Sequence, residues 1–248
     1  MKILKEILGR VFALWALLIF IITMLPVAPA MWIIGLIKEP QRTEIFRKIS
    51  RAWMNIFFAA TGCSLKIKGI ENFKQDENYI IICNHNSFMD VPISTPFIPG
   101  ANKTIAKIEM ARIPVFGLIY KRGAILVDRK DKASRADSFK KMRDVLAMGM
   151  HMCIYPEGTR NKTTEPLKAF HDGAFKLAVD TKKPLLPAVI FNTKRVLPTE
   201  KIFYFWPSKM ELHFLQAVPI NNSDLAEDLK LKLFTLMSSY YAAHYKAS

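Results

Sequence analysis

The sequence predicts an α/β fold: a largely parallel mixed sheet flanked by helices, preceded by an apolar N-terminal pair of helices. Three observations carry that prediction. Short apolar runs at residues 64–68, 79–83, 103–106, 124–127, 152–155, 185–191 and 210–217 have strand length, and helical patterns lie between several of them. That alternation produces parallel strands joined by helical crossovers. No charged residue occurs in residues 11–37, which sets that stretch apart from everything downstream. The chain has 248 residues, enough for one sizeable domain and too few for two comfortable ones. The expected division is residues 1–62 as a membrane-associating helical element and residues 63–248 as the α/β domain.

The apolar run to residue 25 is interrupted only by Thr23; Pro26 and Pro29 follow, and it resumes at Met31. A spanning helix needs about 20 apolar residues, and proline inside a helix removes a hydrogen bond and clashes with the preceding turn. The expectation is two short helices joined by a bend, dipping into one leaflet; one kinked helix crossing the bilayer is the alternative. A cleaved signal peptide is suggested by Lys2, Lys5 and Arg10 ahead of the apolar core and by Ala28-Pro29-Ala30. It is disfavoured because the apolar run continues past that site and Pro29 falls inside it.

Residues 41–61 follow as a basic amphipathic helix. Ile45, Ile49, Ala52, Trp53, Ile56 and Phe57 recur at helical spacing among Arg47, Lys48 and Arg51. Such a helix covers a sheet face or lies on anionic lipid. Its cations, with Arg42, bias this flank to the cytoplasmic side.

Further on, residues 133–148 form a helix that turns Ala136, Phe139, Met142, Val145 and Leu146 inward and stops at Gly149. A last helix, capped by Asp224 with Glu227, buries Leu225, Leu229, Leu233, Leu236 and Tyr240. The aromatic run Phe203-Tyr204-Phe205-Trp206 suits a membrane interface and core packing about equally. Cys63, Cys83 and Cys153 are widely spaced, with no pair at metal-ligand spacing. Their sparse use suits a reducing compartment, Cys83 and Cys153 read as inert core thiols, and neither a metal site nor a cofactor is expected.

His85 and Asp90 stand in Asn84-His85-Asn86-Ser87-Phe88-Met89-Asp90, directly after a strand-like run. Loops at strand ends are where a rigid scaffold presents chemistry, and a histidine beside a carboxylate is a general base with an orienting partner. On one helix the two would fall on different faces. They meet if His85 lies in the loop and Asp90 in the first helical turn, and Ser87 with Asp90 has the form of a capping box. No Gly-x-Ser-x-Gly nucleophile motif occurs, so the pair is expected to act on the hydroxyl of a bound substrate. The bland alternative is that Asp90 caps a helix and His85 is an ordinary loop residue; the short His-x4-Asp pattern alone does not separate the two.

Two other strand ends add weight. Gly123-Ala124-Ile125-Leu126-Val127-Asp128-Arg129 and Tyr155-Pro156-Glu157-Gly158-Thr159-Arg160 each deliver an arginine just past an apolar run. Arginine suits bidentate phosphate recognition, although a solvated surface charge is its commoner fate. Gly158 permits close backbone approach. Parallel strands would gather all three ends on one edge, where open α/β sheets bind ligands.

These blocks, together with Leu185-Leu186-Pro187-Ala188-Val189, resemble the four ordered motif blocks of the glycerolipid acyltransferases, most closely the bacterial 1-acyl-sn-glycerol-3-phosphate acyltransferases. The resemblance implies acyl transfer from a thioester, acyl-CoA or acyl carrier protein, to the sn-2 hydroxyl of 1-acylglycerol 3-phosphate. By the same resemblance His85 is the base and Asp90 its partner, while Arg129, Arg160 and Lys107 hold the substrate phosphate. Glu157, Gly158 and Thr159 then shape the acceptor pocket. One departure stands out: Phe170-His171-Asp172-Gly173 carries a histidine where the family often has Phe-Lys-x-Gly.

A net charge of +15 alongside 51% hydrophobic residues fits a protein at a membrane surface with an anionic partner. No zinc spacing, RNA-recognition motif or long basic tail is present, so nucleic acid is not an expected partner. Membrane lipids and acyl-CoA or acyl carrier protein are, with the cytoplasmic face of the cell membrane as the location. The rival functions are transfer to lysophosphatidylglycerol or a lyso amino-lipid, a non-catalytic lipid-binding module, and a secreted hydrolase.

Overall fold

A computed structural model describes residues 2–245. The strands are β1 (Ser64–Lys68), β2 (Ile80–Cys83), β3 (Asn102–Lys107), β4 (Ala124–Val127), β5 (His151–Ile154), β6 (Leu185–Phe191) and β7 (Lys209–Phe214). They form one sheet in the order β1-β7-β6-β2-β5-β3-β4. From β6 to β4 every pairing is parallel; β7 runs antiparallel to β6, and β1 runs parallel to β7. The largely parallel mixed sheet is therefore as the sequence predicts. β7 is shorter than expected, and Val218 beyond it makes only an isolated antiparallel bridge to Leu185.

The central strands are apolar throughout because both faces are covered. With period two, Ile81, Cys83, Cys153, Leu186, Ala188 and Ile190 enter one core, and Ile80, Ile82, Met152, Ile154, Leu185 and Val189 enter the other. The first core is closed by α1 (Lys2–Ile33), α2 (Gln41–Thr61), α3 (Asp90–Ser94) and α4 (Phe116–Gly123). The second is closed by α5 (Lys132–Ala147), α6 (Gly173–Thr181) and α8 (Ala226–His244); a short α7 (Thr193–Val196) follows β6.

The N-terminal stretch corrects the expected hairpin. α1 is one unbroken helix with Pro26 and Pro29 inside it. Each proline forfeits one hydrogen bond near the helix end, and packing against α2 outweighs that loss. Trp53 Nε1 donates to Thr23 Oγ1 at 2.9 Å, and the Phe20 ring meets those of Trp53, Phe57 and Phe116. Gly9, Ala13, Ala16, Val27 and Met31 form the buried stripe. Small residues allow that close approach: a Cβ on Gly9 would lie 2.1 Å from the Tyr204 ring. The turn into α2 is tied to the sheet through Glu39, which accepts from Lys103 Nζ at 2.7 Å and from Thr43 Oγ1 at 2.6 Å.

Helix faces are less well foreseen. α2 has the expected bounds, but its buried stripe is Phe46, Ser50, Trp53, Met54, Phe57 and Phe58, while Ile56 is exposed. The helix is wedged between α1 and the sheet, so two neighbours rather than one set its inward face. α5 buries Ser138, Met142, Val145 and Leu146, with Ala136 exposed and Phe139 half-buried, and it ends at Ala147, two residues before Gly149 (φ +77°). α8 buries Leu229, Leu233 and Met237; Leu225 and Leu236 are exposed, and Tyr240 is half-buried against His213. Asp224 does not cap α8; its carboxylate accepts the Asn221 N–H instead. The aromatic run at 203–206 splits its roles: Tyr204 and Phe205 are buried, and Phe203 is exposed.

Candidate active site

Because β2 to β6 are parallel, their C-terminal ends share one edge. β2 leads there into His85, β4 into Asp128 and Arg129, β5 into residues 155–160, and β6 into Thr193, while Lys107 closes β3. Asn84 locks the start of the His85 loop. Its amide nitrogen donates to Ile190 O at 3.0 Å, and its oxygen accepts the Ile190 N–H at 2.7 Å.

Asp90 is wholly buried, and both of its carboxylate oxygens are engaged. Oδ2 lies 2.8 Å from His85 Nδ1 and accepts the backbone N–H of Asn86 at 2.5 Å and of Ser87 at 2.7 Å; Oδ1 accepts the Thr193 hydroxyl at 2.6 Å. A carboxylate so placed takes the Nδ1–H of the imidazole and leaves Nε2 as its basic nitrogen. The imidazole is 20% exposed. It rests on the Tyr155 ring, centroids 4.6 Å apart, and the Tyr155 hydroxyl is held by Ser94 Oγ at 2.6 Å. The expected capping box is half formed. Asp90 reaches back to Ser87 N–H, but α3 begins at Asp90 and the Ser87 hydroxyl donates to Leu197 O at 2.8 Å.

The segment after β5 braces His85 from behind. Glu157, wholly buried, accepts His85 N–H at 2.7 Å and Lys168 N–H at 3.0 Å, and Asn161 N–H donates to His85 O at 2.6 Å. Burial pushes the Glu157 carboxyl up to about 7, against the two backbone donors that favour its charge. Glu157 therefore acts on the site through the His85 backbone. Gly158 has φ +69°, and a Cβ there would lie 2.8 Å from the His171 ring. Its carbonyl accepts the Arg129 guanidinium. Thr159 is exposed and accepts Lys168 Nζ at 2.8 Å.

The remaining cations differ in engagement. The Arg160 guanidinium stacks 3.5 Å from the Phe88 ring centroid. It has no hydrogen bond or ion pair among the described residues, so its donors are free. Lys107 is exposed at the end of β3, in register with Val127, and has no hydrogen bond or ion pair from its side chain among the described residues. Beside Phe88, Met89 and Arg160 opens a cavity of about 760 Å³, running between α2, α3 and α4 with walls that include Trp53, Phe57 and Phe116.

Several residues of this site were not foreseen. Thr193 carried the same signal as His85, a polar residue just past an apolar strand. Asn84, Asn161 and Lys168 act through the backbone or on it, and no sequence pattern marks such contacts.

Comparison with known proteins adds an independent line. Residues 64–191 match the Acyltransferase family. Among curated relatives, 1-acyl-sn-glycerol-3-phosphate acyltransferase of Saccharomyces cerevisiae is 30% identical over 183 residues, covering 72% of this chain and 59% of its own. The Helicobacter pylori protein of that name is 30% identical over 154 residues, covering 62% and 64%. The chain spans about half the length of the first curated relatives it matches. The crystal structure of the 1-acyl-sn-glycerophosphate acyltransferase from Thermotoga maritima has the same fold: TM-score 0.81 at 20% identity, covering 98% of this chain and 99% of that one.

Proposed function

The chain belongs to the acyltransferase family, and from that premise we propose that it moves a fatty acyl group from a thioester to the sn-2 hydroxyl of 1-acylglycerol 3-phosphate, giving phosphatidic acid. The observation that carries this is the His85–Asp90 pair, 2.8 Å apart, on an edge that also holds Arg129 and Arg160. The phosphate lies toward Arg160 and Arg129, with Lys107 at the rim. His85 Nε2 takes the proton of the sn-2 hydroxyl as its oxygen bonds to the thioester carbonyl carbon. Asp90 stabilises the imidazolium that results. The C–S bond then breaks, and the leaving thiolate recovers the proton from His85. The apolar cavity takes the acyl chain.

The donor is acyl-CoA or acyl carrier protein, both anionic, matched to a chain of net charge +15. Residues 1–62 serve as the membrane-associating part and residues 63–248 as the acyltransferase part, at the cytoplasmic face. Lys2–Leu36 is long and apolar enough to cross a membrane, its most apolar 18-residue stretch having a mean hydropathy of 2.6. Yet α1 contacts the rest of the chain from Gly9, whose carbonyl accepts Phe205 N–H at 3.0 Å, to Met31, whose carbonyl accepts Arg122 Nε at 3.1 Å. A helix docked along its length favours lying in one leaflet, its outer side of Ile7, Val11, Leu14, Leu18 and Leu25 in lipid.

A thiol-release assay on a panel of acyl donors and lyso-lipid acceptors tests the proposal. Wild-type protein should release thiol fastest with 1-acylglycerol 3-phosphate. Equal or faster rates on lysophosphatidylglycerol would move the assignment to another acceptor, and thioester binding with no release would leave only a lipid-binding protein.

A further inference from the structure

The wall of the apolar cavity contains three hydroxyls with nothing to bond to. Ser50 of α2, Thr95 just past α3 and Thr104 of β3 all line it. They are 6%, 5% and 4% exposed, and none of the three oxygens has a hydrogen-bond partner among the described residues. Helical serine and threonine commonly bond back to a carbonyl one turn earlier. Thr61 on the same α2 does so, to Phe57 O at 2.7 Å; Ser50 does not. The backbone around Thr95 is fixed by Asn102, whose amide nitrogen donates to Thr95 O at 3.0 Å and to Gly100 O at 3.1 Å. An apolar sleeve for plain hydrocarbon has no use for such groups, because burying an unpaired hydroxyl is unfavourable.

We propose that Ser50, Thr95 and Thr104 form a polar collar that selects an acyl chain bearing an oxygen, a hydroxylated fatty acyl group, over an unsubstituted chain of equal length. This rests on the assignment of the cavity to the acyl chain. Thr104 lies in register with Ala124, and Lys107 at the sheet edge with Val127. At about 3.3 Å per residue Thr104 is therefore roughly 10 Å below that edge, so it meets the chain along its length and not at the reacting carbonyl. The three oxygens are already shut off from water, so a methylene at the collar leaves all of them unpaired. A chain hydroxyl at that depth both donates to them and accepts from them, which removes the penalty of leaving them unpaired.

The test uses acyl thioesters of one chain length, unsubstituted or with a single hydroxyl at successive positions. Thiol release is measured for wild type and for Thr95→Val with Thr104→Val, a volume-conserving pair; Ser50→Ala serves as a second variant should the pair fail to fold. Wild type should prefer one mid-chain hydroxylated donor over the unsubstituted one by about tenfold in kcat/KM, and the variants should abolish or reverse that preference. Binding of the matching free fatty acids is followed by calorimetry. Absent thiol release with the binding preference intact would sink the proposed reaction and leave the collar standing. A wild type that favours unsubstituted chains at every position, or variants that keep the wild-type preference, would overturn the collar.

Discussion

His85 and His151 lie at opposite ends of neighbouring parallel strands, and their environments make them chemical opposites. His85 follows the C-terminal end of β2, is 20% exposed, and has its Nδ1 against the Asp90 carboxylate. His151 opens β5 at the other edge. It is 7% exposed, stacks on the Tyr79 ring at 18°, and its Nδ1 accepts the Tyr79 N–H at 3.0 Å. Burial pushes the His151 imidazole down to about 4. One ring has an acceptor for its Nδ1–H and a second nitrogen without a hydrogen-bond partner among the described residues; the other gives its lone pair to the backbone. The partner of Nδ1 and access to Nε2, more than the presence of a histidine, make a candidate base.

That contrast can be broken by substitution. His85→Ala should lower turnover by about 10²–10⁴-fold with thermal unfolding unchanged; near-normal turnover of the folded variant would remove His85 from the reaction. Arg160→Ala should lower kcat/KM by about 10- to 100-fold, chiefly through KM, because a charge-assisted contact to phosphate is lost. An unchanged KM for the lyso-phospholipid would place the phosphate elsewhere. Thr193→Val removes one of the donors to Asp90 and should cost about fivefold in kcat. If kcat is untouched while unfolding shifts, Thr193 is structural only.

The smallest effect on turnover belongs to His151→Gln, which should leave the neutral-pH rate intact and change stability instead. The depressed pKa of His151 means its contribution is fully present above about 6.5 and lost as pH falls through about 4. The loss is roughly 3 kcal/mol in wild type by linkage and should be smaller in the variant. Glu157, raised to about 7, has the opposite sign: its contribution is greatest below 4.5 and lost as pH rises through about 7. Denaturant unfolding of both proteins at each pH cancels the Glu157 part. Parallel acid limbs would show that His151 is not buried neutral.

The strands were legible because central parallel strands are apolar on both faces, as Ile80, Ile81 and Ile82 illustrate. The His85 loop was legible because it follows such a strand. Less could be read where two neighbours compete for one element. Pro26 and Pro29 signalled a break, yet α1 continues, since Thr23, Phe20 and Met31 are held by α2 and α4. In α2 the local pattern put Ile56 inside, and the wedge between α1 and the sheet put Ser50 there instead. Asp224 fitted a cap by spacing and was taken up by the Asn221 N–H.

By itself, the sequence determined the α/β class and the strand runs, and it put His85, Arg129 and Arg160 just past strand ends, because periodicity and strand-end position are local properties. Only the tertiary structure decided that Thr193, from far along the chain, completes the Asp90 site, that Glu157 faces the backbone of His85, and that three hydroxyls from separate elements meet one cavity. Those are contacts between segments distant in sequence. The parallel sheet creates them when it brings its strand ends together, and no local pattern encodes which side chains then find each other.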